Sequence, residues 1–474
     1  MLFPWFWVND FNTNTQNTSI RGGETMKWLK NWGWGFFVLI VVGGIGGVLL
    51  LALPKSSGMV EEVQDEKITL TFRHFWTKEH DKPMLAIFER IIEQFQKDNP
   101  NVKVSFEGMD QTVHREQKLK SEMVTGTPPD MFVLFGGAEI EPYACSNRLM
   151  DLTDFVHNNG WSNSFKDLKL WTFNERIYGL PIEGNAEPLY YNRAIFKSLG
   201  IKEPITIEEL SEAIVTLKKN GYTPFALGNV DRWPAAIYAH YLMDRYAGPK
   251  LFEQIIQGSN ISYLNDQYLL AFKQLEHWIA QGAFSAAANN LSTEQAIQTF
   301  TSEQAAMYLN GNWDINLFQD NDVDVSFREK VGVIPFPALK PDSPRSMAGG
   351  YTIGIGLSSA LEEGQKEAAL KLLKSFFTSK VQSQIVYAGL RIPAVKIPFD
   401  SKETGSIFMQ VMNVMEHSEG TFVPYDNVLS PEVKKSFLKV IEEMIEGNMN
   451  AEQALATLQS SSLDYWKQRD NALP

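Results

Sequence analysis

Cysteine is almost absent from this chain of 474 residues, in which Cys145 is the only one. A single thiol cannot form a disulfide within the chain, so the fold must be stabilised by packing. Cys145 also lies far beyond the apolar run at residues 32–53, and therefore cannot be the lipid-acceptor thiol that bacterial lipoproteins carry directly after such a run. We interpret Cys145 as a small buried hydrophobe.

Basic charge is scarce as well. Lys and Arg number 43 against 56 Asp and Glu, which gives a formal net charge of -13. Binding to nucleic acid needs a basic face, so this composition argues against a nucleic-acid partner. The chain also lacks internal repeats and low-complexity tracts.

The usual catalytic signatures are missing too. The sequence contains no Gly-x-Ser-x-Gly elbow, no His-Glu-x-x-His pair and no glycine-rich phosphate loop, and its seven histidines are scattered. We therefore predict no catalytic residue, no metal site, no cofactor and no enzymatic activity. A surface glycoside hydrolase stays open as an alternative, because its two carboxylates meet only in space.

One long apolar run is present, at residues 32–53, and it contains no charged residue. Its length matches the roughly 20 residues that cross a bilayer, and Lys27 and Lys30 precede it. By the positive-inside rule the body of the protein faces outward. The run is either a retained membrane anchor or a cleaved signal segment. Residues 1–31 are then cytoplasmic or a misassigned start, and residues 54–66 are a linker.

The body from residue 67 onward has an alternating strand and helix pattern. Residues 68–75 alternate as a strand does, residues 84–95 place apolar side chains on one helical stripe, and residues 131–135 form the continuous apolar run of a buried parallel strand. This order predicts an α/β fold. The pattern changes near Glu183, where we expect a second lobe to begin.

Several segments resemble extracellular solute-binding proteins of ABC importers, and their order is most similar to the sugar-binding family 1, the maltose-binding-protein-like branch. The resemblance runs from about residue 68 to residue 466 and is carried by residues 126–135, 179–182, 189–196, 206–210, 305–313 and 349–351. Each motif is short, but they follow one another in the family's order.

The resemblance implies a two-lobed Venus-flytrap fold, the type II periplasmic binding protein, with lobes that are discontinuous in sequence. The first lobe would hold residues 67–182 plus about 350–400, and the second residues 183–349 plus about 401–474. The implied function is an extracytoplasmic receptor, expected to be a monomer, that captures a mono- or oligosaccharide in the interlobe cleft and delivers it to ABC transporter permease subunits. It would be attached to the outer face of the cell membrane, or secreted or periplasmic if residues 32–53 are cleaved. A sugar-sensing subunit for a membrane kinase is the alternative.

A sugar site needs aromatic platforms for the ring faces and polar groups for the hydroxyls. Ligands of α/β sheets bind beyond the carboxyl ends of strands, so we expect Phe75 and Trp76 after the first strand, and Phe135 and Gly136 at the end of the third, to line the cleft. Asp130 precedes its strand and is expected to brace a turn.

The remaining candidates lie in and near the second lobe. The family carries a sugar-stacking tryptophan at the motif of Trp313, whereas Trp233 also has a local explanation as a helix start. Arg391 would bind hydroxyls or a sugar acid, or else form a surface ion pair. The other predicted ligand-binding residues are the polar pair at the first crossing between the lobes and two further aromatic residues: Glu183, Asn185, Tyr351 and Tyr425.

Overall fold

The computed structural model describes residues 67–258, 262–318 and 323–472. The predicted anchor or signal segment at residues 32–53 lies outside these ranges, as do the stretches 1–31 and 54–66. Within the described ranges, no helix combines the length and the apolar character needed to span a membrane.

A large sheet forms the centre of the first lobe. Its main path runs through six strands in this spatial order: Ile392–Pro393, Leu180–Ala186, Met347–Leu357, Met131–Phe135, Ile68–His74 and Val102–Gly108. Thr421–Phe422 adds a seventh strand beside Met347–Leu357. The three strands nearest the N-terminus are parallel, whereas Met347–Leu357 is antiparallel to both of its neighbours on the path.

A smaller sheet forms the second lobe, with four strands in the order Val331–Ile334, Leu189–Asn192, Ala305–Leu309 and Thr223–Ala226. The first two pairings are antiparallel and the last is parallel. Thr172–Phe173 and Arg176–Ile177 form a separate two-stranded ribbon.

Helices cover both sheets. A π-helix spans Val113–Leu119. The α-helices of the described residues are Lys82–Asp98, Lys120–Thr125, Glu141–Cys145, Thr153–Asn158, Arg193–Leu199, Ile207–Lys219, Trp233–Ala247, Pro249–Ile256, Asp266–Ala280, Thr293–Thr301, Ile315–Phe318, Val325–Lys330, Glu363–Phe376, Ser379–Tyr387, Ser406–Glu416, Tyr425–Val428, Pro431–Ile445 and Ala451–Ala472.

Strand and helix formation follow the sequence pattern. Every residue of Met131–Phe135 is buried, as a strand covered on both faces requires. Helix Ile207–Lys219 begins at the capping box of Thr206 and Glu209, in which each side chain bonds the other's backbone amide. Cys145 ends helix Glu141–Cys145 and is exposed, so its interpretation as a buried hydrophobe is wrong. It lies at the polar end of a short helix of which only Ala144 is buried.

The chain passes between the sheets more than once. Leu180–Ala186 belongs to the large sheet and Leu189–Asn192 to the small one, and the chain returns between Val331–Ile334 and Met347–Leu357. Helix Ser406–Glu416 then packs on the small sheet, where the Gln410 amide donates to the Val331 carbonyl at 3.4 Å. Each lobe is therefore assembled from separate stretches of sequence. The exact domain boundaries given above stay a prediction.

Asp130 connects the first and third strands of the chain. Its Oδ2 accepts from the Thr71 backbone amide at 2.7 Å and from Thr71 Oγ1 at 2.9 Å, and the Asp130 amide donates to the same hydroxyl oxygen at 2.9 Å. The expected bracing role thus has a definite partner.

Replacing Asp130 by Ala removes both carboxylate bonds, and we expect the free energy of unfolding to fall by about 1–2 kcal/mol. Urea denaturation measures this loss. Asp464→Ala, on an exposed face of the C-terminal helix, is the matched control and should change stability by less than about 0.5 kcal/mol. Equal losses in the two variants would contradict the bracing role.

Candidate ligand-binding cleft

A cavity of about 1180 Å³, which includes open solvent at its mouth, lies beyond the carboxyl ends of the parallel strands. Phe75 and Trp76 follow strand Ile68–His74, Phe135 ends strand Met131–Phe135, and all three side chains line this cavity. The structure therefore places these predicted residues together, at the sheet edge where α/β proteins bind ligands.

The aromatic residues of the first lobe also belong to its core. Phe75 and Phe135 stack with ring centroids 5.8 Å apart, and Trp76 stacks on Phe88 at 4.4 Å. Trp76 is only 2% exposed. Its position serves both packing and the cavity wall, the two roles that the sequence left open.

Trp233 and Trp313 form an aromatic pair that also lines the cavity. Their ring centroids are 5.8 Å apart at an interplanar angle of 64°, and both rings are only partly buried. Trp233 opens helix Trp233–Ala247, and Trp313 lies in a single helical turn after Gly311. This pair offers the accessible ring surface that a sugar face needs.

Gly311 permits the position of the Trp313 ring. A Cβ atom added at Gly311 would lie 2.2 Å from the Trp313 ring, a distance that no side chain tolerates. The Asn312 side chain fixes the same turn, because its Oδ1 accepts from the Ala186 backbone amide at 2.9 Å. The sequence indicated a turn here, but the reason for the glycine becomes visible only when the indole is placed.

Glu183, Asn185 and Glu187 alternate along strand Leu180–Ala186 and the residue after it, so they share one face, and each lines the cavity. They are 5%, 5% and 4% exposed. The Asn185 amide nitrogen donates to Thr352 Oγ1 at 2.9 Å, whereas its Oδ1 has no hydrogen-bond partner. Glu187 Oε2 lies 2.9 Å from His240 Nε2.

Arg391 is 1% exposed and lies behind the cavity wall, outside the residues that line it. Its Nε lies 3.1 Å from Glu183 Oε2, and its Nη2 lies 3.5 Å from Asp81 Oδ1. The prediction that Arg391 forms a surface ion pair is wrong, because these partners are buried with it. The guanidinium also donates to the Trp313 carbonyl at 2.7 Å and to the His80 carbonyl at 2.9 Å. Arg391 thus holds the backbone on which Trp313 is carried.

His80, Asp81 and Asp314 extend this charged network, and no sequence pattern pointed to them. His80 Nδ1 lies 3.2 Å from Asp314 Oδ1, and Asp314 Oδ2 accepts from the Tyr308 hydroxyl at 2.7 Å. Burial lowers the pKa of His80, but the neighbouring carboxylates outweigh it and leave the pKa raised. These residues come from distant parts of the chain, so no local spacing could have revealed the cluster.

Burial also shifts the pKa values of the carboxylates on the strand face. It raises the pKa of Glu183 to about 7, although Arg391 acts in the opposite direction. Burial likewise raises the pKa of Glu187, which His240 offsets in part. Both shifts follow from removing a carboxylate from water.

Three predicted site residues besides Arg391 do not line the cavity. Tyr425 is 1% exposed and stacks on Phe252 at 3.5 Å, while its neighbours Asp426 and Asn427 reach the cavity. Tyr351 packs its ring against Gly184, and Gly136 lies against the Leu170 carbonyl. In each case the residue is close to the cleft in sequence, but its side chain or backbone packs elsewhere.

Ion pairs connect the two lobes around the cavity. Lys78 lies 3.4 Å from Asp231, Lys434 lies 3.6 Å from Glu116, and Lys120 lies 3.6 Å from Glu432. Each pair joins a segment that follows a strand of the large sheet to a segment of the second lobe. These partly exposed pairs contribute little stability individually, but they bring the two walls together.

The pKa of Glu183 makes stability depend on pH. Below about pH 4.5 the carboxyl is protonated in both states, and between about 4.5 and 7 the unfolded chain loses the proton first. The Glu183 contribution to the free energy of unfolding should therefore fall by about 3 kcal/mol as pH rises through this window. Chemical denaturation of the wild type and Glu183→Gln at several pH values measures it. If the free energy of unfolding varied with pH in the same way in both proteins, the raised pKa of Glu183 would be contradicted.

Comparison with known proteins agrees with this architecture. The family of proteins described as "Bacterial extracellular solute-binding protein" matches residues 81–383. An uncharacterised ABC transporter extracellular-binding protein of Pyrococcus horikoshii is 30% identical over 318 residues, which are 64% of this chain and 68% of that protein. The multiple sugar-binding protein of Streptococcus mutans is 23% identical over 367 residues, 76% of this chain and 81% of that one.

A solved structure of a chitin oligosaccharide binding protein superposes with a TM-score of 0.81 at 28% identity, covering 84% of this chain and 98% of that one. These matches confirm the family resemblance and the two-lobed Venus-flytrap fold predicted from the sequence. The chain belongs to the family of bacterial extracellular solute-binding proteins.

Proposed function

We propose that this protein is an extracytoplasmic receptor that captures a carbohydrate in the cavity between its lobes and delivers it to the permease subunits of an ABC transporter. The observation that carries the proposal is the pair Trp233 and Trp313, whose partly exposed rings line the same cavity as Glu183 and Asn185. A sugar presents apolar C–H faces and a polar rim, and this arrangement complements both.

Seven of the predicted residues take part in this proposal as ligand contacts, and all of them line the cavity: Phe75, Trp76, Phe135, Glu183, Asn185, Trp233 and Trp313. Arg391 is reassigned to positioning, since its guanidinium is already engaged by Glu183 and by backbone carbonyls. Gly136, Tyr351 and Tyr425 are left out because they do not line the cavity.

Binding without turnover is part of the proposal. The named relatives are binding proteins, among them the melibiose/raffinose/stachyose-binding protein of Bacillus subtilis. We propose the same class of action here, with the ligand released intact. The alternatives differ in a direct way, since a glycoside hydrolase would cleave the sugar and a sensor subunit would bind a membrane kinase in place of a permease.

The family and the apolar run at residues 32–53 support a location outside the cytoplasm. We propose that the two-lobed body acts as a monomer at the outer face of the cell membrane, held there by that run. If the run is cleaved, the body is secreted or periplasmic. Release of the protein by salt or carbonate washing of membranes would contradict the anchor.

Trp313→Ala should weaken saccharide binding by about 1–3 kcal/mol, or roughly 5- to 150-fold in Kd, because it removes one aromatic face from the ligand. Isothermal titration calorimetry against a panel of mono- and oligosaccharides, with product analysis of each mixture, provides the measurement.

Trp466→Ala is the matched control for this substitution. Trp466 lies on the C-terminal helix against Gly258 and does not line the cavity, so this variant should bind as the wild type does. Unchanged affinity in Trp313→Ala would reject the platform, and cleavage of the bound sugar would identify an enzyme.

A further inference from the structure

The cavity carries an excess of negative charge. Eight carboxylate side chains line it, against two lysines, one arginine and His80, while Arg391 lies beside Glu183 and Asp81 from outside the lining. A neutral sugar requires no such excess, because uncharged amide and hydroxyl side chains also donate to and accept from its hydroxyls. We therefore use the excess of carboxylates to infer the charge of the ligand.

The two lysines and the arginine that line the cavity are already paired with carboxylates. Lys78 lies 3.4 Å from Asp231, and Lys434 lies 3.6 Å from Glu116. Arg115 donates from Nε to both oxygens of Glu139, at 3.0 and 2.9 Å, and its guanidinium lies 3.6 Å from the centre of the Phe135 ring. Within the part of the chain that the structure describes, the cavity thus offers an anionic ligand no unpaired Lys or Arg.

On the strand face, by contrast, hydrogen-bond acceptors lack partners. Asn185 Oδ1 is buried, belongs to a side chain that lines the cavity, and has no donor. Two residues further on, Glu187 meets only the imidazole of His240 among the titratable bases, and the charge of Asp426 acts on the same carboxylate. This face therefore lacks a donor at Asn185, and among the described residues neither Glu187 nor Asp426 has a Lys or Arg partner.

Resting on the function proposed above, we propose that the cleft selects a saccharide that carries a protonated amino group, and that it excludes uronates and sugar phosphates. The ammonium would lie at Asn185, Glu187 and Asp426, with the sugar ring on Trp233 and Trp313. An ammonium supplies three donors and no acceptor, so it complements this face in both hydrogen bonding and charge. An anionic sugar would meet the carboxylates of Glu187 and Asp426 there.

Three oligosaccharides of equal length test the selection by calorimetry at neutral pH: a glucosamine oligomer, its N-acetylated form and a galacturonate oligomer. Because hydrogen bonds to charged groups are stronger than neutral ones, the glucosamine oligomer should bind at least about tenfold more tightly than the N-acetylated form. The galacturonate oligomer should give no measurable binding.

The outcomes separate this inference from the proposed function. Equal or tighter binding of the N-acetylated or galacturonate oligomer would overturn the amino-sugar selection while supporting a carbohydrate receptor. If none of the saccharides binds and spermidine does, the carbohydrate function itself fails, and the selection fails with it.

Glu187→Gln removes the charge from the strand face and keeps the shape of the side chain. It should reduce the preference for glucosamine over N-acetylglucosamine oligomers by about tenfold. Asp426→Asn provides a second test at a less buried position, in case Glu187→Gln does not fold. Glu367→Gln, the same change on an exposed helix outside the cavity, should leave the preference intact. An unaltered preference in both folded cavity variants would overturn the proposal.

Discussion

The buried guanidinium of Arg391 is the interaction on which the cleft depends. Arg391 directly precedes strand Ile392–Pro393, which borders Leu180–Ala186, and it contacts the carboxylates of Glu183 and Asp81 together with the backbone carbonyls of His80 and Trp313. One side chain thereby fixes a crossing strand, the segment after the first strand and the turn that carries the aromatic platform. Removing a charge from water is costly, and these ion pairs and hydrogen bonds offset that cost.

The same constraint explains the electrostatics of the cavity. Arg391 compensates Glu183 from behind the wall, whereas Glu187 has only an imidazole beside it. Glu183 and Glu187 share one face of a strand, but only Glu187 needs a positive charge from the ligand. The tryptophan pair lines the same cavity, so apolar contact and charge are presented to one bound molecule.

Much of this was accessible from the sequence, and for physical reasons. Period-two and continuous apolar patterns indicated the strands, and the carboxyl ends of those strands correctly indicated where Phe75, Trp76 and Phe135 would lie. Tyr425 does not line the cavity as predicted, because a local motif cannot show that its ring stacks on Phe252, which is far away in sequence. The cluster of His80, Asp81 and Asp314 was missed for the same reason: charged groups that meet only after folding leave no spacing to read.

The most direct test of the central role of Arg391 is the free energy of unfolding of Arg391→Met, measured beside Arg232→Met, which loses a partly exposed pair with Glu442. Removing the buried cation leaves Glu183 and Asp81 uncompensated, so we expect a loss of about 3–5 kcal/mol, against less than about 1 kcal/mol for the surface variant. Similar small losses in both variants would contradict the account and show that the walls of the cleft are held by other contacts.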